Sequence, residues 1–265
     1  MKFNKVLLAS DFDGTLKNDD GVITESDIKA IQSFMADGGS FTVCTGRIYQ
    51  GFHLYNKAYI NAPVLMGNGA MAYDYEKNEI IFNDAVGSEG IPPLNAILEA
   101  FPNACIELYN FEKVCAINLN DHSYQHFTSQ GISFEKVEGP EDAPLPWTKV
   151  MIAAHGFSQE VQQILDGFPE IHYLKTTGDF VEFMKKGVDK GTGLLKLAKA
   201  MGVSPNDVYA AGDGYNDVEM LVAAQAGFVP ENGSPEALGV AAYVTRSNND
   251  GCVANAIEIL DDIYS

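Results

Sequence analysis

The apolar run Val6-Leu7-Leu8-Ala9 passes almost directly into Asp11-Phe12-Asp13-Gly14-Thr15, and this junction narrows the possible folds more than any other stretch of the chain. A short apolar run bounded by turn chemistry reads as a buried strand, and Gly14 lets the backbone turn sharply so that carboxylates gather at the strand's carboxyl end. Open α/β sheets hold their ligands at that edge. Asp11 and Asp13 stand two residues apart and so point to one face of extended chain, where one carboxylate can attack or bind a metal while the other moves protons. Asp-Gly is also ordinary turn chemistry. The pair therefore acquires meaning only from the rest of the sequence.

Through residue 83 strand and helix patterns alternate, which predicts a parallel sheet flanked by helices. Thr24 can cap a helix whose apolar positions Ile28, Ile31 and Met35 recur at helical spacing until Gly38-Gly39 ends it. Strands are expected at Ser40 to Cys44 and Pro63 to Met66, a helix over Ile48 to Ala58, and a hairpin from Ala70–Tyr75 and Glu79–Asn83. From about Asp84 the pattern changes to paired strands, at 105–110, 114–119, 149–155, 171–177 and 180–184, with helices near 88–100 and 159–168. The stretch 138–146 is a loop by composition, since its prolines suit neither a central strand nor a helix interior. Strand–helix alternation resumes at Lys190, with a helix to Met201, a strand at 207–211, a helix over 216–225, strands near 227–229 and 242–245, and a closing helix over 253–260. The expected fold class is thus α/β, a doubly wound and mainly parallel core made of residues 1–83 and 187–265. An α+β module of residues 84–186 is inserted into it.

Three further segments echo the first: Phe41-Thr42-Val43-Cys44-Thr45-Gly46-Arg47, Gly187-Val188-Asp189-Lys190-Gly191, and Ala210-Ala211-Gly212-Asp213-Gly214-Tyr215-Asn216-Asp217. Asp213 follows an apolar strand and precedes Gly214, the same strand-to-turn arrangement as at Asp11. Two carboxylates converging about 4 Å apart would repel by about 4 kcal/mol at an effective dielectric near 20, and a bound cation turns that cost into attraction. Oxygen ligands suit Mg²⁺ better than Zn²⁺. Thr45 and Gly46 supply a hydroxyl and an approachable backbone N–H at a strand end, which together make an anion hook. Lys190 opens a helix whose first N–H groups favour an anion. A cation there opposes the helix dipole, a cost the ammonium offsets against phosphate or carboxylate charge.

In order and type these segments, with Gly67-Asn68-Gly69-Ala70 between them, resemble the haloacid dehalogenase superfamily of phosphotransferases, and the flanking sequence is similar to its Cof-type phosphatases from end to end. The resemblance implies a Mg²⁺-dependent phosphatase acting on a small phosphorylated metabolite such as a sugar phosphate, nucleotide or cofactor phosphate. It implies that Asp11 is the nucleophile, forming an aspartyl-phosphate, and that Asp13 is the acid/base and also binds the metal through its backbone carbonyl. Asp11 and Asp213 would bind the metal through their side chains. Lys190 would share in catalysis and, with Thr45, Gly46 and Asn216, in phosphate binding. Asp217 either reaches the metal through water or orients Lys190, with a plain helix-start acid as the alternative; Asn216 competes with an N-cap role, and Arg47 with a surface role. The inserted module would be a cap that selects the substrate. The same intermediate would serve a phosphosugar mutase, and a non-catalytic phosphometabolite-binding protein would keep the same residues.

Composition removes other classes. With 36 acids against 17 bases the formal charge is −19, a field that repels phosphate backbones and anionic lipid, so neither nucleic acid nor membrane is an expected partner. No obligatory protein partner is evident. Cys44, Cys105, Cys115 and Cys252 lie far apart with no metal-finger spacing, which predicts reduced, buried thiols and suits a cytoplasmic compartment. His122 and His126 have helical spacing without a third ligand, so packing or solvent-facing roles are expected, and Trp147 is expected in a core.

Overall fold

The computed structural model describes residues 1–175 and 180–265. Its elements run β1 (Leu7–Ser10), α1 (Glu25–Ala36), β2 (Ser40–Val43), α2 (Tyr49–Phe52), β3 (Val64–Met66), β4 (Met71–Asp74), β5 (Glu79–Asn83), α3 (Ile91–Ala100), β6 (Cys105–Tyr109), β7 (Val114–Ile117), α4 (Asp121–Ser129) and β8 (Glu135–Lys136). They continue with β9 (Lys149–Ala153), α5 (Ser158–Leu165), β10 (Ile171–Lys175), β11 (Phe180–Lys185), α6 (Lys190–Met201), β12 (Val208–Ala211), α7 (Val218–Ala223), β13 (Ala226–Pro230), α8 (Pro235–Val240), β14 (Tyr243–Thr245) and α9 (Cys252–Ile263). The string Thr176-Thr177-Gly178-Asp179, including the expected end of a strand at Thr177, lies outside the described residues.

Two compact units result: Met1–Gly46, Asn56–Phe82 and Asp189–Ser265 form the first, and Arg47–Tyr55 with Asn83–Val188 the second. The first unit is built on a five-stranded parallel sheet in the order β14-β13-β12-β1-β2. β3, β4 and β5 form a three-stranded sheet, linked to the end of β2 by a bridge between Cys44 and Leu65. Every residue of β1 is buried, as a central strand covered on both faces requires. Leu7 and Ala9 share one face and pack with Leu194, Leu197, Val208, Ala210 and Met220.

Capping explains where the helices of this unit begin. Thr24 accepts from the N–H of Asp27 at 3.1 Å and opens α1, and Gly38, with φ +94°, follows its end. At α6, Asp189 accepts from the N–H of Thr192 at 2.7 Å while Thr192 Oγ1 accepts from the N–H of Asp189 at 3.0 Å, a reciprocal cap that fixes Lys190 as the first helical residue. The cap residue of α9, Gly251, carries no side chain. The buried carboxylate of Asp27 takes that place from α1, accepting from the N–H of Ala254 at 2.7 Å. The sequence reading omitted α8, a helix of barely two turns opened by Ser234, whose Oγ accepts from the N–H of Ala237 at 3.2 Å.

The second unit holds a six-stranded sheet in the order β10-β11-β9-β6-β7-β8, antiparallel except between β7 and β8. Trp147 is fully buried beside Val86, Leu94, Ile97 and Val150, the core role expected of it. α4 was not expected as a helix. Asn120 opens it, accepting from the N–H of Ser123 at 2.8 Å. On this helix His122 packs against Phe180 with ring centroids 4.7 Å apart and planes tilted by 31°, and His126 Nδ1 lies 2.9 Å from the buried Glu107, so both histidines have packing or hydrogen-bonding roles. The helix expected over Ile48 to Ala58 is a single turn, Tyr49–Phe52, and it clusters with the second unit although the sequence reading counted it in the core. Its side chains explain this: Ile48 is buried with Tyr109 and Phe127, Tyr49 meets Phe111 at 4.7 Å, and Gln50 donates to the carbonyls of Asn110 and Phe111 at 3.1 and 2.7 Å. All four cysteines are free and buried. Among the described residues no helix is long and apolar enough to cross a membrane.

Candidate active site

Parallel register brings the sequence segments together. Ser10 of β1 pairs with Val43 of β2 on one side and Ala211 of β12 on the other, so all three strands end level. The residues that follow each strand, Asp11, Thr45 and Asp213, emerge at the same carboxyl edge, where an open sheet places its ligands. Backbone bonds hold the junction: the N–H of Asp11 donates to the carbonyl of Ala211 at 2.7 Å, and that of Cys44 to the carbonyl of Ser10 at 2.8 Å.

Lys190 enters this edge from the first turn of α6. Its side chain is fully buried, and Nζ donates to Asp11 Oδ1 at 2.5 Å and Asp217 Oδ1 at 2.6 Å. Burial works against the ammonium, but Asp11 and Asp217 more than offset it and hold the pKa of Lys190 above that of an ordinary lysine. Asp217 has its other oxygen occupied as well: Oδ2 accepts from the N–H groups of Asp213 and Gly214 at 3.1 and 2.8 Å. Both oxygens of Asp217 therefore lie on protein donors.

Asp213 is fixed by a residue the sequence reading left without a role. The buried Thr15 donates its hydroxyl to Asp213 Oδ1 at 2.5 Å. Gly14, with φ +91°, makes room for this approach, because a Cβ there would lie 2.6 Å from Asp213 Oδ2. Asp11, Asp213 and Asp217 together offer one carboxylate oxygen each within 4.8 Å of one another, the group among the described residues that can hold a metal ion. Three carboxylates face one buried ammonium there, and the excess negative charge shows in the acids: burial chiefly, then Asp217 and Asp213, raises the pKa of Asp11 despite Lys190, and burial raises that of Asp213 despite the bond from Thr15. A hard divalent cation suits such a set, since it supplies the missing positive charge and prefers oxygen ligands.

Asp13 stands apart from this group. Its side chain is 46% exposed and pairs with Lys17 at 3.4 Å, while Lys17 lies over the ring of Phe12. Thr45 is buried, with its N–H donating to Leu65 and its carbonyl accepting from the N–H of Asn68 at 3.1 Å. Asn216 lies inside the short 3-10 turn Tyr215–Asp217, not before it, so it is no N-cap; its Nδ2 donates to Asn68 Oδ1 at 3.0 Å. Asn68 is thus a second residue that the sequence reading quoted without assigning. Arg47 belongs to the second unit, where its guanidinium lies over the ring of Tyr55. Burial pushes the Cys44 thiol up, which leaves it inert beside the site.

The sequence profile of the haloacid dehalogenase-like hydrolases matches residues 8–257, and the chain belongs to that family. It is 26% identical to "Putative phosphatase YxeH" of Bacillus subtilis (strain 168), over 96% of this chain and 97% of that protein. It is also 26% identical to pyridoxal phosphate phosphatase YbhA of Escherichia coli (strain K12), over 95% of this chain and 97% of that one. The solved structure of BT4131, a sugar phosphatase of subclass IIB in the superfamily, shares the fold with a TM-score of 0.85 at 20% identity, covering 97% of this chain and 99% of the other.

Proposed function

We propose that this enzyme, a phosphatase of the haloacid dehalogenase-like family, hydrolyses a small phosphorylated metabolite through an aspartyl-phosphate on Asp11, with Mg²⁺ as its metal. The observation that carries the reading is the buried Asp11–Lys190–Asp217 chain beside Asp213, at the carboxyl edge of the sheet. Asp11 and Asp213, with the backbone carbonyl of Asp13, would hold Mg²⁺, whose charge offsets that of the carboxylates and the phosphoryl oxygens. Lys190 fixes Asp11 by one oxygen and presents the carboxylate for attack in line on phosphorus. The bond from phosphorus to the ester oxygen breaks, and Asp13 gives its proton to the departing alkoxide. In the second half Asp13, now ionised, takes a proton from water, whose oxygen attacks phosphorus, and the bond to Asp11 breaks to restore the carboxylate. Thr45, Gly46 and Asn216 would bind the phosphoryl oxygens. The exposure of Asp13 supports its part, because a group that exchanges protons with leaving group and water in turn must reach both.

The relatives' names, one a sugar phosphatase and one a pyridoxal phosphate phosphatase, support a small metabolite as substrate. Substitution of Asp11 by Asn tests the nucleophile. The variant should unfold at the wild-type denaturant concentration or above it, since one excess charge is gone, and lose at least about a thousandfold in turnover of an aryl phosphate with Mg²⁺ present. Acid-quenched wild-type enzyme should carry label from a ³²P-ester that hydroxylamine removes. Turnover by the variant within about tenfold of wild type, or no label on protein that is turning over, would overturn the reading.

A further inference from the structure

We propose that Asn68 is a positioning residue of the phosphate site, clamping the strand-end hook at Thr45–Gly46 to Asn216; the inference rests on the phosphatase reading above. Three consecutive residues, Gly67, Asn68 and Gly69, have φ of +58°, +54° and +88°. Left-handed backbone is cheap for glycine and uncommon for any other residue, with asparagine among the best tolerated. A loop that only had to turn would place glycine in the middle too. Here the middle residue carries a side chain, is 3% exposed, and aims it at the site.

That side chain touches both halves of the proposed anion hook. Its Oδ1 accepts from Asn216 Nδ2 at 3.0 Å, which orients the Asn216 amide and leaves its second N–H to donate elsewhere. The same Oδ1 lies 3.0 Å from where a Cβ on Gly46 would stand, so Gly46 and Asn68 are in direct contact, and the N–H of Asn68 donates to the carbonyl of Thr45. The loop itself is anchored on α6. A Cβ on Gly69 would overlap the carbonyl of Asp189, and one on Gly193 would fall 2.6 Å from Gly69 Cα, so the backbones are in contact next to Lys190. Asn68 is therefore fixed from below by the helix that carries Lys190 and reaches above to Gly46 and Asn216. Two separate segments, Thr45–Gly46 and Asn216, thus meet on Asn68, beside Gly69, which packs on α6.

A positioning residue one step from the reacting atoms is worth about 10- to 100-fold in activity. Substitution Asn68→Gly is the informative change, because glycine keeps the left-handed backbone while the clamp is removed. With an aryl phosphate as substrate, N68G should lose about 10- to 100-fold in kcat/KM, and competitive inhibition by inorganic phosphate should weaken by a similar factor, at a thermal midpoint close to wild type. N216A should show a similar loss, and the N68G/N216A double variant should be no worse than N216A within about threefold, since Asn68 acts through Asn216. Asn68→Ala removes the acceptor for Asn216 at a modest backbone cost in the left-handed region. It should also weaken phosphate inhibition, and it serves if N68G does not fold. Wild-type kinetics in N68G or N68A, or losses that multiply in the double variant, would overturn the clamp. Wild-type protein inactive on every phosphate ester tried would instead overturn the reading on which it rests.

Discussion

Removal of the Lys190 ammonium is the perturbation whose cost the structure fixes best. Substitution Lys190→Met keeps length and apolar volume but leaves Asp11, Asp213 and Asp217 facing one another with oxygens within 4.8 Å. At an effective dielectric near 20, two unit charges at that distance repel by about 3.5 kcal/mol, and the fold escapes part of this only by keeping a proton on one acid. Breaking a buried ion pair by deleting one partner costs about 3–5 kcal/mol, and here a single ammonium serves two acids. K190M should therefore lose about 3–5 kcal/mol in urea unfolding with EDTA present. Two further arms isolate charge from packing. The double variant K190M/D217N, with one carboxylate fewer, should regain at least about half of the loss. Mg²⁺ at about 100 times its dissociation constant contributes about 2.7 kcal/mol to any fold that binds it, and K190M should gain at least as much stability from added Mg²⁺ as wild type gains. Wild-type stability of K190M in EDTA, or a double variant less stable than the single, would refute the charge argument.

Two other changes probe the supports of the site and fold. Thr15→Val deletes the donor that holds Asp213 and should cost about 1.5–3 kcal/mol of stability while weakening Mg²⁺ binding about 10- to 100-fold by titration calorimetry; an unchanged dissociation constant would show that Thr15 does not orient a ligand. Asp27 tests the cap supplied to α9: burial raises its pKa above that of an ordinary carboxylate, despite bonds from Ala254, Thr24 and Val253. The native state then holds this proton at a pH where the unfolded chain has lost it, so the group's contribution to stability is fullest below the unfolded value and is lost as pH rises through the folded one. Against the non-titrating variant Asp27→Asn, the wild type should gain in relative stability as pH falls from 7 to 4, and a relative loss over that range would contradict the assignment.

What the sequence disclosed and what it hid divide along the length scale of the interactions. β1 and its acidic turn were legible because a buried parallel strand needs an unbroken apolar run, and Gly14 marks its turn. The start of α6 was legible because Asp189 and Thr192 cap it within one turn. Thr15 and Asn68 were quoted but not assigned, since what gives each a role is a partner 198 and 148 residues away. Helix α4 escaped for a different reason: its buried side consists of Ser123 and Phe127, too sparse a stripe to register as helical periodicity. The excursion at 47–55 depends on Ile48 and Gln50 finding partners in the second unit, which no local propensity encodes.

The charge of the whole chain bears on the choice of substrate. A formal charge of −19 opposes the approach of any phosphate, yet that field is screened beyond about 8–10 Å at physiological ionic strength. Within that radius the local balance decides, and the site concentrates its compensation: the buried Lys190 and an acid cluster fit for a divalent cation. A phosphate monoester presents one compact dianion to this compensated region. A polyphosphate or nucleic acid would extend past the screened radius and place its remaining charges against an acidic surface with nothing to offset them. The same excess of acids thus argues for a small phosphorylated molecule, independently of what the relatives are named.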